Sequence, residues 1–415
     1  MKFDALDLRP ELRANIAAMG WHRATDIQYR AMTPTLRGED ILAVAQTGTG
    51  KTAAFGIPAV ELLLRRNRPR NYNGVRCIVM EPTHELARQV GDVIAQLAMD
   101  TGLEVAAIYG GVSQEPQTDT LNRRCDIVVA TPGRLFDLKS QGYLQCNRCE
   151  ILILDEADHM LDLGFINDIR QLVRSLPRHR QTLFYSATID EKIKKIAYTI
   201  VNRPIHIRIS PKDRVARNVT HEVISVPMDE KRFYLERIYH ENPDCRIMVF
   251  VRTRVRAERV MAAMERAGIK AVNMHGSKSQ SERTNALETF RRGDVRMLIA
   301  TDITARGIDI PQVNYVVNYD VPDVPENYVH RVGRTGRGMD KGYALTFCAD
   351  EERQLLEEVE DYLEEEITLL DMNRADRQAT IDLATEAKHD WQQLVNDEIA
   401  LEEHRGKPIR HGRNK

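Results

Sequence analysis

Apolar residues fall in short unbroken runs along this chain, each followed by a stretch in which they recur at helical spacing. The first series is Ile41-Leu42-Ala43-Val44-Ala45, Cys77-Ile78-Val79-Met80, Val105-Ala106-Ala107-Ile108, Ile127-Val128-Val129-Ala130, Ile151-Leu152-Ile153-Leu154 and Thr182-Leu183-Phe184-Tyr185. Runs with no polar alternation predict strands buried on both faces, which is the signature of a parallel sheet covered by helices. Ligands of such sheets bind at the carboxyl ends of the strands. A second series predicts a second lobe of similar build: Ile247-Met248-Val249-Phe250-Val251, Ala271-Val272-Asn273-Met274, Met297-Leu298-Ile299-Ala300, Tyr315-Val316-Val317 and Ala344-Leu345-Thr346-Phe347.

Between the two series, residues 210–218 are polar and aperiodic, as a linker should be. The expected division is therefore residues 1–209, a linker at 210–218, a second domain at 219–370 and a C-terminal extension at 371–415. The acidic stretch from Asp350 to Glu366 carries Leu355, Leu356, Val359 and Leu363 at helical spacing and should pack on the second lobe. Residues 404–415 are basic and coreless, and read as a solvated end.

Composition adjusts this picture modestly. At 415 residues, two cores are expected rather than one, and 42% hydrophobic with 29% charged residues is ordinary for a folded protein. No apolar run is long enough to span a bilayer and the first residues do not resemble a signal peptide, so a cytoplasmic location is expected. The six cysteines form no disulfide pattern. Cys146 and Cys149 have metal-ligand spacing, but no second Cys or His pair accompanies them, so they read as structural. With a net charge of −2, any polyanion must be held by segregated basic patches.

Two segments carry phosphate chemistry. After the strand ending at Ala45, the run Gln46-Thr47-Gly48-Thr49-Gly50-Lys51-Thr52 leads into a helix expected over residues 52–65. Glycines there let backbone amides face a triphosphate at a helix N-terminus. Lys51 reaches the terminal phosphates, and Thr52 ligates Mg²⁺ together with an acid ending a neighbouring strand. Strand 151–154 delivers Asp155 as that metal ligand and Glu156 as the group that orients or deprotonates the attacking water. Far downstream, His330-Arg331-Val332-Gly333-Arg334-Thr335-Gly336-Arg337 offers three guanidiniums on glycine-spaced backbone, suited to phosphate oxygens. Together they suggest one nucleotide site divided between two lobes.

Residues 45–52, Asp155-Glu156-Ala157-Asp158, Ser186-Ala187-Thr188 and residues 330–337 resemble, in order and spacing, the motif series of the DEAD-box ATP-dependent RNA helicases, superfamily 2. Coverage runs from Phe3 to about residue 350. The resemblance implies an α/β fold of two RecA-like domains, ATP as substrate with Mg²⁺, and RNA-stimulated hydrolysis that closes the lobes, bends one RNA strand and locally melts short duplexes or remodels RNA–protein complexes. Segments 161–170 and 275–280 look closest to the bacterial RhlE-like subgroup.

Further roles follow by resemblance. The segment up to residue 28 is similar to the family's adenine-recognition element, with Trp21 stacking on the base and Gln28 pairing with its edge; one carboxamide satisfies adenine's adjacent donor and acceptor, which favours ATP over GTP. Arg334 and Arg337 resemble arginine fingers, and Asp309 would hold the ribose. Asp158, Ser186, Thr188, His330 and Arg331 would couple hydrolysis to strand separation. RNA contacts would fall on Pro82, Thr83, Gly110, Gly111, Thr131, Pro132, Gly133 and Arg134, and on Arg252, Thr253, Gln280, Arg283, Thr301 and Arg306. These groups suit phosphates and sugars rather than base edges, so sequence-independent RNA binding is expected, with ribosome-assembly or RNA-degradation machinery as candidate partners.

Three positions depart from the family pattern: Ala24 where proline is usual, and His84 and His159 where arginine is frequent. None removes a catalytic group; histidine in place of arginine at position 84 is expected to weaken RNA grip or make it depend on pH. Two rival readings are a slowly hydrolysing RNA clamp and a DNA-directed motor.

Overall fold

The computed structural model describes residues 3–46, 48–66, 74–189, 191–209, 215, 218–305, 310, 313–336 and 341–384. The chain forms two compact units. The first comprises Met1–Arg217 with Lys278–Asn285 and Thr304–Pro311, and the second Asn218–Ser277, Ala286–Ile303 and Gln312–Lys415. The expected linker, apart from Val215 and Asn218, and everything beyond residue 384 lie outside the described residues.

The first unit is built on strands β1 (Ile41–Val44), β2 (Cys77–Met80), β3 (Val105–Ile108), β4 (Ile127–Ala130), β5 (Ile151–Leu154), β6 (Gln181–Ser186) and β7 (Ile205–Arg208). They make one seven-stranded sheet in the order β3-β4-β2-β5-β6-β1-β7, every pair parallel. Strands β2, β4 and β5 are buried along their whole length, the physical reason their sequences admit no polar residue. Alternation sends Val79, Ile153, Leu183 and Tyr185 into one core, shared with Phe55 and Ile57 of the helix Lys51–Arg65. Met80, Leu154 and Phe184 enter the core on the opposite face.

The second unit repeats the plan with β8 (Val219–Ser225), β9 (Ile247–Val251), β10 (Ala271–Met274), β11 (Met297–Thr301), β12 (Tyr315–Asn318), β13 (Gly342–Cys348) and β14 (Thr368–Leu369), in the order β10-β11-β9-β12-β13-β8-β14. All six pairings are parallel. Three strands, β7, β8 and β14, are absent from the sequence-based expectation. β7 alternates apolar with polar residues, β8 breaks its apolar residues with Thr220-His221-Glu222, and β14 is two exposed residues at the sheet edge. The expected acidic helix runs over Arg353–Leu363, preceded by a 3₁₀ turn at Asp350–Glu352. It buries Val359 and Leu363, leaving Leu355 and Leu356 half-buried.

Candidate functional site

Parallel strands bring all their C-terminal ends to one edge of the sheet, and the first unit's chemistry collects there. The loop after β1 bends at Gly48 and Gly50, whose φ angles of 82° and 91° lie in the left-handed region that glycine enters freely. A side chain at Gly50 would overlap the Gln28 amide. Gln28 itself clasps this loop. Its Oε1 accepts from the Thr25 N–H at 2.9 Å, its Nε2 donates to the Gly50 carbonyl at 3.1 Å, and the Thr25 hydroxyl donates to the Thr49 carbonyl at 2.8 Å. The residue expected to read the base edge is thus also a brace of the phosphate loop. Trp21 is half-buried against the adjoining core.

Lys51 opens the helix and is buried. Its Nζ donates to Glu156 Oε1 at 2.6 Å and lies 3.6 Å from Asp155 Oδ1. Burial alone would push this ammonium's pKa down, but Asp155 and Glu156 hold it above the ordinary lysine range. Burial pushes the Asp155 carboxyl up to about 6, and Glu156 adds to the rise while Lys51 opposes it. Glu156 adopts a left-handed φ of 47°, unusual for a side-chain-bearing residue, with its N–H held by Asp155 Oδ1 at 2.8 Å. Asp158 Oδ2 accepts from both the N–H and the hydroxyl of Thr188, at 3.0 and 3.1 Å. Ser186, at the end of β6, is fully buried and its hydroxyl makes no hydrogen bond to Asp158. The structure therefore gathers Gln28, Gln46, Gly48, Thr49, Gly50, Lys51, Thr52, Asp155, Glu156, Asp158 and Thr188; Thr47 lies outside the described residues.

Pro82 and Thr83 follow β2, Gly110 and Gly111 follow β3, and Thr131, Pro132, Gly133 and Arg134 follow β4, three neighbouring strands. Thr83 and Thr131 are helix N-caps, so each turn presents helix-start amides at the sheet edge. Arg134 donates to the Val112 carbonyl at 3.2 Å.

In the second unit, Arg252 follows β9 and bonds Asp323 at 3.2 Å and Glu352 at 3.1 Å, while Thr253 caps the next helix. Both line an open cavity of about 390 Å³ with Val255, Arg256, Arg259, Asp320 and Asp323. Arg256 and Arg259 escaped the sequence reading, although their spacing of three puts them on one face of the helix that Thr253 caps. Gln280 begins the helix Gln280–Arg292 and accepts from Arg283, and Thr301 ends β11. Arg331 is fully buried. It grips Asp302 with two bonds of 2.6 and 2.8 Å, donates to the Asp320 carbonyl at 2.6 Å and lies over the Phe250 ring. Arg334 donates to the His330 carbonyl at 3.1 Å. Of the two described glycines in this segment only Gly336 is left-handed, with φ 65°, and a side chain there would strike Val219; Gly333 has φ −67°. Arg306, Asp309 and Arg337 lie outside the described residues.

Cys146 and Cys149 are buried free thiols, pushed by burial up to about 11 and about 12, which leaves them unreactive. Among the described residues no helix is long and apolar enough to cross a membrane.

Residues 25–196 match the family model described as DEAD/DEAH box helicase, and residues 230–339 match that described as helicase conserved C-terminal domain. The chain is 36% identical over 391 residues to the ATP-dependent RNA helicase RhlB of Shewanella amazonensis, covering 93% of this chain and 88% of that protein. It is 38% identical over 372 residues to RhlB of Xanthomonas oryzae pv. oryzae, of which it spans 64% of the length. Among solved structures it resembles S. cerevisiae Dbp5 bound to RNA and ADP BeF3, with a TM-score of 0.80, 29% identity, and coverage of 93% of this chain and all of that one.

Proposed function

Because the chain belongs to the DEAD/DEAH box helicase family, we propose that it is an ATP-dependent RNA helicase whose RNA-stimulated ATP hydrolysis separates short duplexes or remodels RNA–protein complexes. The observation that carries this reading is the buried cluster of Lys51, Asp155 and Glu156 at the sheet's C-terminal edge, with Asp158 held to Thr188 beside it. Lys51 exchanges its bond to Glu156 for the terminal phosphates when nucleotide enters, which frees the Glu156 carboxylate to orient the attacking water.

Mg²⁺ fits this site. Two buried carboxyl groups beside one ammonium leave a surplus of negative charge, and a hydroxyl and carboxylate set suits a hard cation. Thr52 and Asp155 would hold it, and it would neutralise charge on the phosphates. Arg334 and Arg337 from the second unit take the arginine-finger role, and Asp309 that of ribose holder. The groups after β2, β3 and β4, with Arg252, Thr253, Gln280, Arg283, Thr301 and Arg306, grip the RNA backbone, and His330 and Arg331 join this grip to hydrolysis. The domain bounds of 1–209 and 219–370 serve as the working division. Six free thiols accord with a reducing, cytoplasmic setting, where assemblies that build ribosomes or degrade RNA are natural partners. The finer likeness to the RhlE-like subgroup rests on segments 161–170 and 275–280.

The test is ATP turnover with and without single-stranded RNA, for the wild type and Glu156→Gln. RNA is expected to stimulate the wild type, and the variant to bind ATP and RNA while losing turnover by at least about 100-fold. Turnover indifferent to RNA would sink the helicase reading, and a fully active Glu156→Gln would remove Glu156 from its role.

A further inference from the structure

Glu81 directly follows β2, fully buried, and neither of its carboxyl oxygens has a hydrogen-bond partner. Its N–H bonds the Ala130 carbonyl at 2.9 Å, so the residue continues the β2–β4 ladder. Met80 pairs with Leu154 and Leu154 with Phe184, which puts the next three residues, Glu81, Asp155 and Tyr185, in one row across β2, β5 and β6. Tyr185 sits in the core beneath the helix that Lys51 opens, and Val79, two residues before Glu81, enters the same core. The row therefore points toward Lys51. Glu81 feels the charges of Asp155, Glu156 and Lys51, and the Tyr185 hydroxyl in the same row also lacks a partner.

A buried carboxyl group that nothing donates to is unfavourable, and here Glu81 stands beside two further buried carboxyl groups, Asp155 and Glu156, that already share one ammonium. A hydrated divalent cation supplies both missing things, positive charge and O–H donors. Among the described residues no three His, Cys, Asp or Glu side chains are grouped so as to hold an ion directly. Contact through water is what remains, and a small hard cation bound to phosphates keeps several waters.

We infer that Glu81 is a positioning residue for the nucleotide's divalent cation, accepting a hydrogen bond from a cation-bound water in the row it shares with Asp155. This rests on the reading that Thr52 and Asp155 hold that cation.

The measurement is the affinity of the full chain for fluorescently labelled ADP, once with saturating Mg²⁺ and once with EDTA, the ratio of the two Kd values reporting how strongly the cation is held. Glu81→Gln and Glu81→Leu are each expected to shrink that ratio by about tenfold, the usual cost of losing an outer partner of a metal site. The Kd in EDTA should stay as in the wild type, and the Tm of the nucleotide-free variants should equal or exceed the wild type's, because an unpartnered carboxyl group is gone. Ratios indistinguishable from wild type in both variants overturn the inference, as does a lowered Tm with the ratio intact, which would make Glu81 a folding residue only. If Mg²⁺ leaves the wild-type Kd unchanged, or Thr52→Ala leaves the ratio unchanged, the cation reading itself fails, a result separable from the first two.

Discussion

Gln28 shows how one side chain serves two scales of the site. Its amide joins the Thr25 N–H to the Gly50 carbonyl, so the carboxamide is satisfied within the protein at the place where a base edge is expected to arrive. Gln28→Glu keeps the acceptor but turns a carboxylate oxygen toward the Gly50 carbonyl. We expect it to lower the first unit's stability by about 1–3 kcal/mol in denaturant unfolding, and to erode discrimination of ATP from GTP. His221 gives a pH test. Burial holds its pKa below the ordinary value, with its Nδ1 3.1 Å from the Tyr328 hydroxyl. The unfolded chain then binds a proton more readily than the folded one, so this residue's contribution is complete above about pH 6.5 and is lost as pH falls through the lowered folded value. Melting curves between neutral and mildly acidic pH should show a shallower decline for His221→Gln than for the wild type. Single residues were unevenly legible. Lys51, Asp155 and Glu156 stood out because fixed spacing follows an apolar run. Glu81 did not, since one acid after four apolar residues looks like any strand end.

Strands legible in the sequence are those written as unbroken or nearly unbroken apolar runs, whether wholly buried like β2, β4 and β5 or partly covered like β3. Those missed are β7 and β8, whose polar residues reflect partly exposed surroundings, and β14, too short to carry a period. What holds the second unit's elements together was likewise invisible, because it joins residues far apart in the chain. Lys231, with no exposed surface, opens the helix Lys231–Glu241, donates to the Tyr319 carbonyl beyond β12 at 2.7 Å, and pairs with Glu352 in the 3₁₀ turn. Glu352 also takes Arg252, so this buried hub supports one of the expected RNA contacts. Lys231→Met should lower the second unit's unfolding free energy by roughly 3 kcal/mol by stranding buried acids, and Lys231→Met combined with Glu352→Gln should recover part of that loss. Equal losses in the single and double variants would argue against the hub.

For the molecule as a whole, a net charge of −2 means that the RNA proposed as substrate would have to be held by local groups against a weakly repulsive background. Affinity for single-stranded RNA should fall with salt at a slope of about −0.7 per phosphate neutralised, and a DNA strand of matched sequence should bind more weakly for want of 2′-hydroxyls. A flat salt dependence, or equal affinity for the two strands, would contradict backbone recognition by these groups.

The strand order has a consequence for how the protein is made. β1, which launches the phosphate loop, finds its neighbours in β6 and β7, at Gln181–Ser186 and Ile205–Arg208. A growing polypeptide emerging from the ribosome thus presents β1 early and must wait for nearly the whole first unit before that strand is paired on either side. Loop closure over so long a separation is slow, and unpaired apolar strands are open to mispairing meanwhile. Nascent chains halted before residue 181 should accordingly bind no nucleotide, because the loop's own foundation has yet to be synthesised.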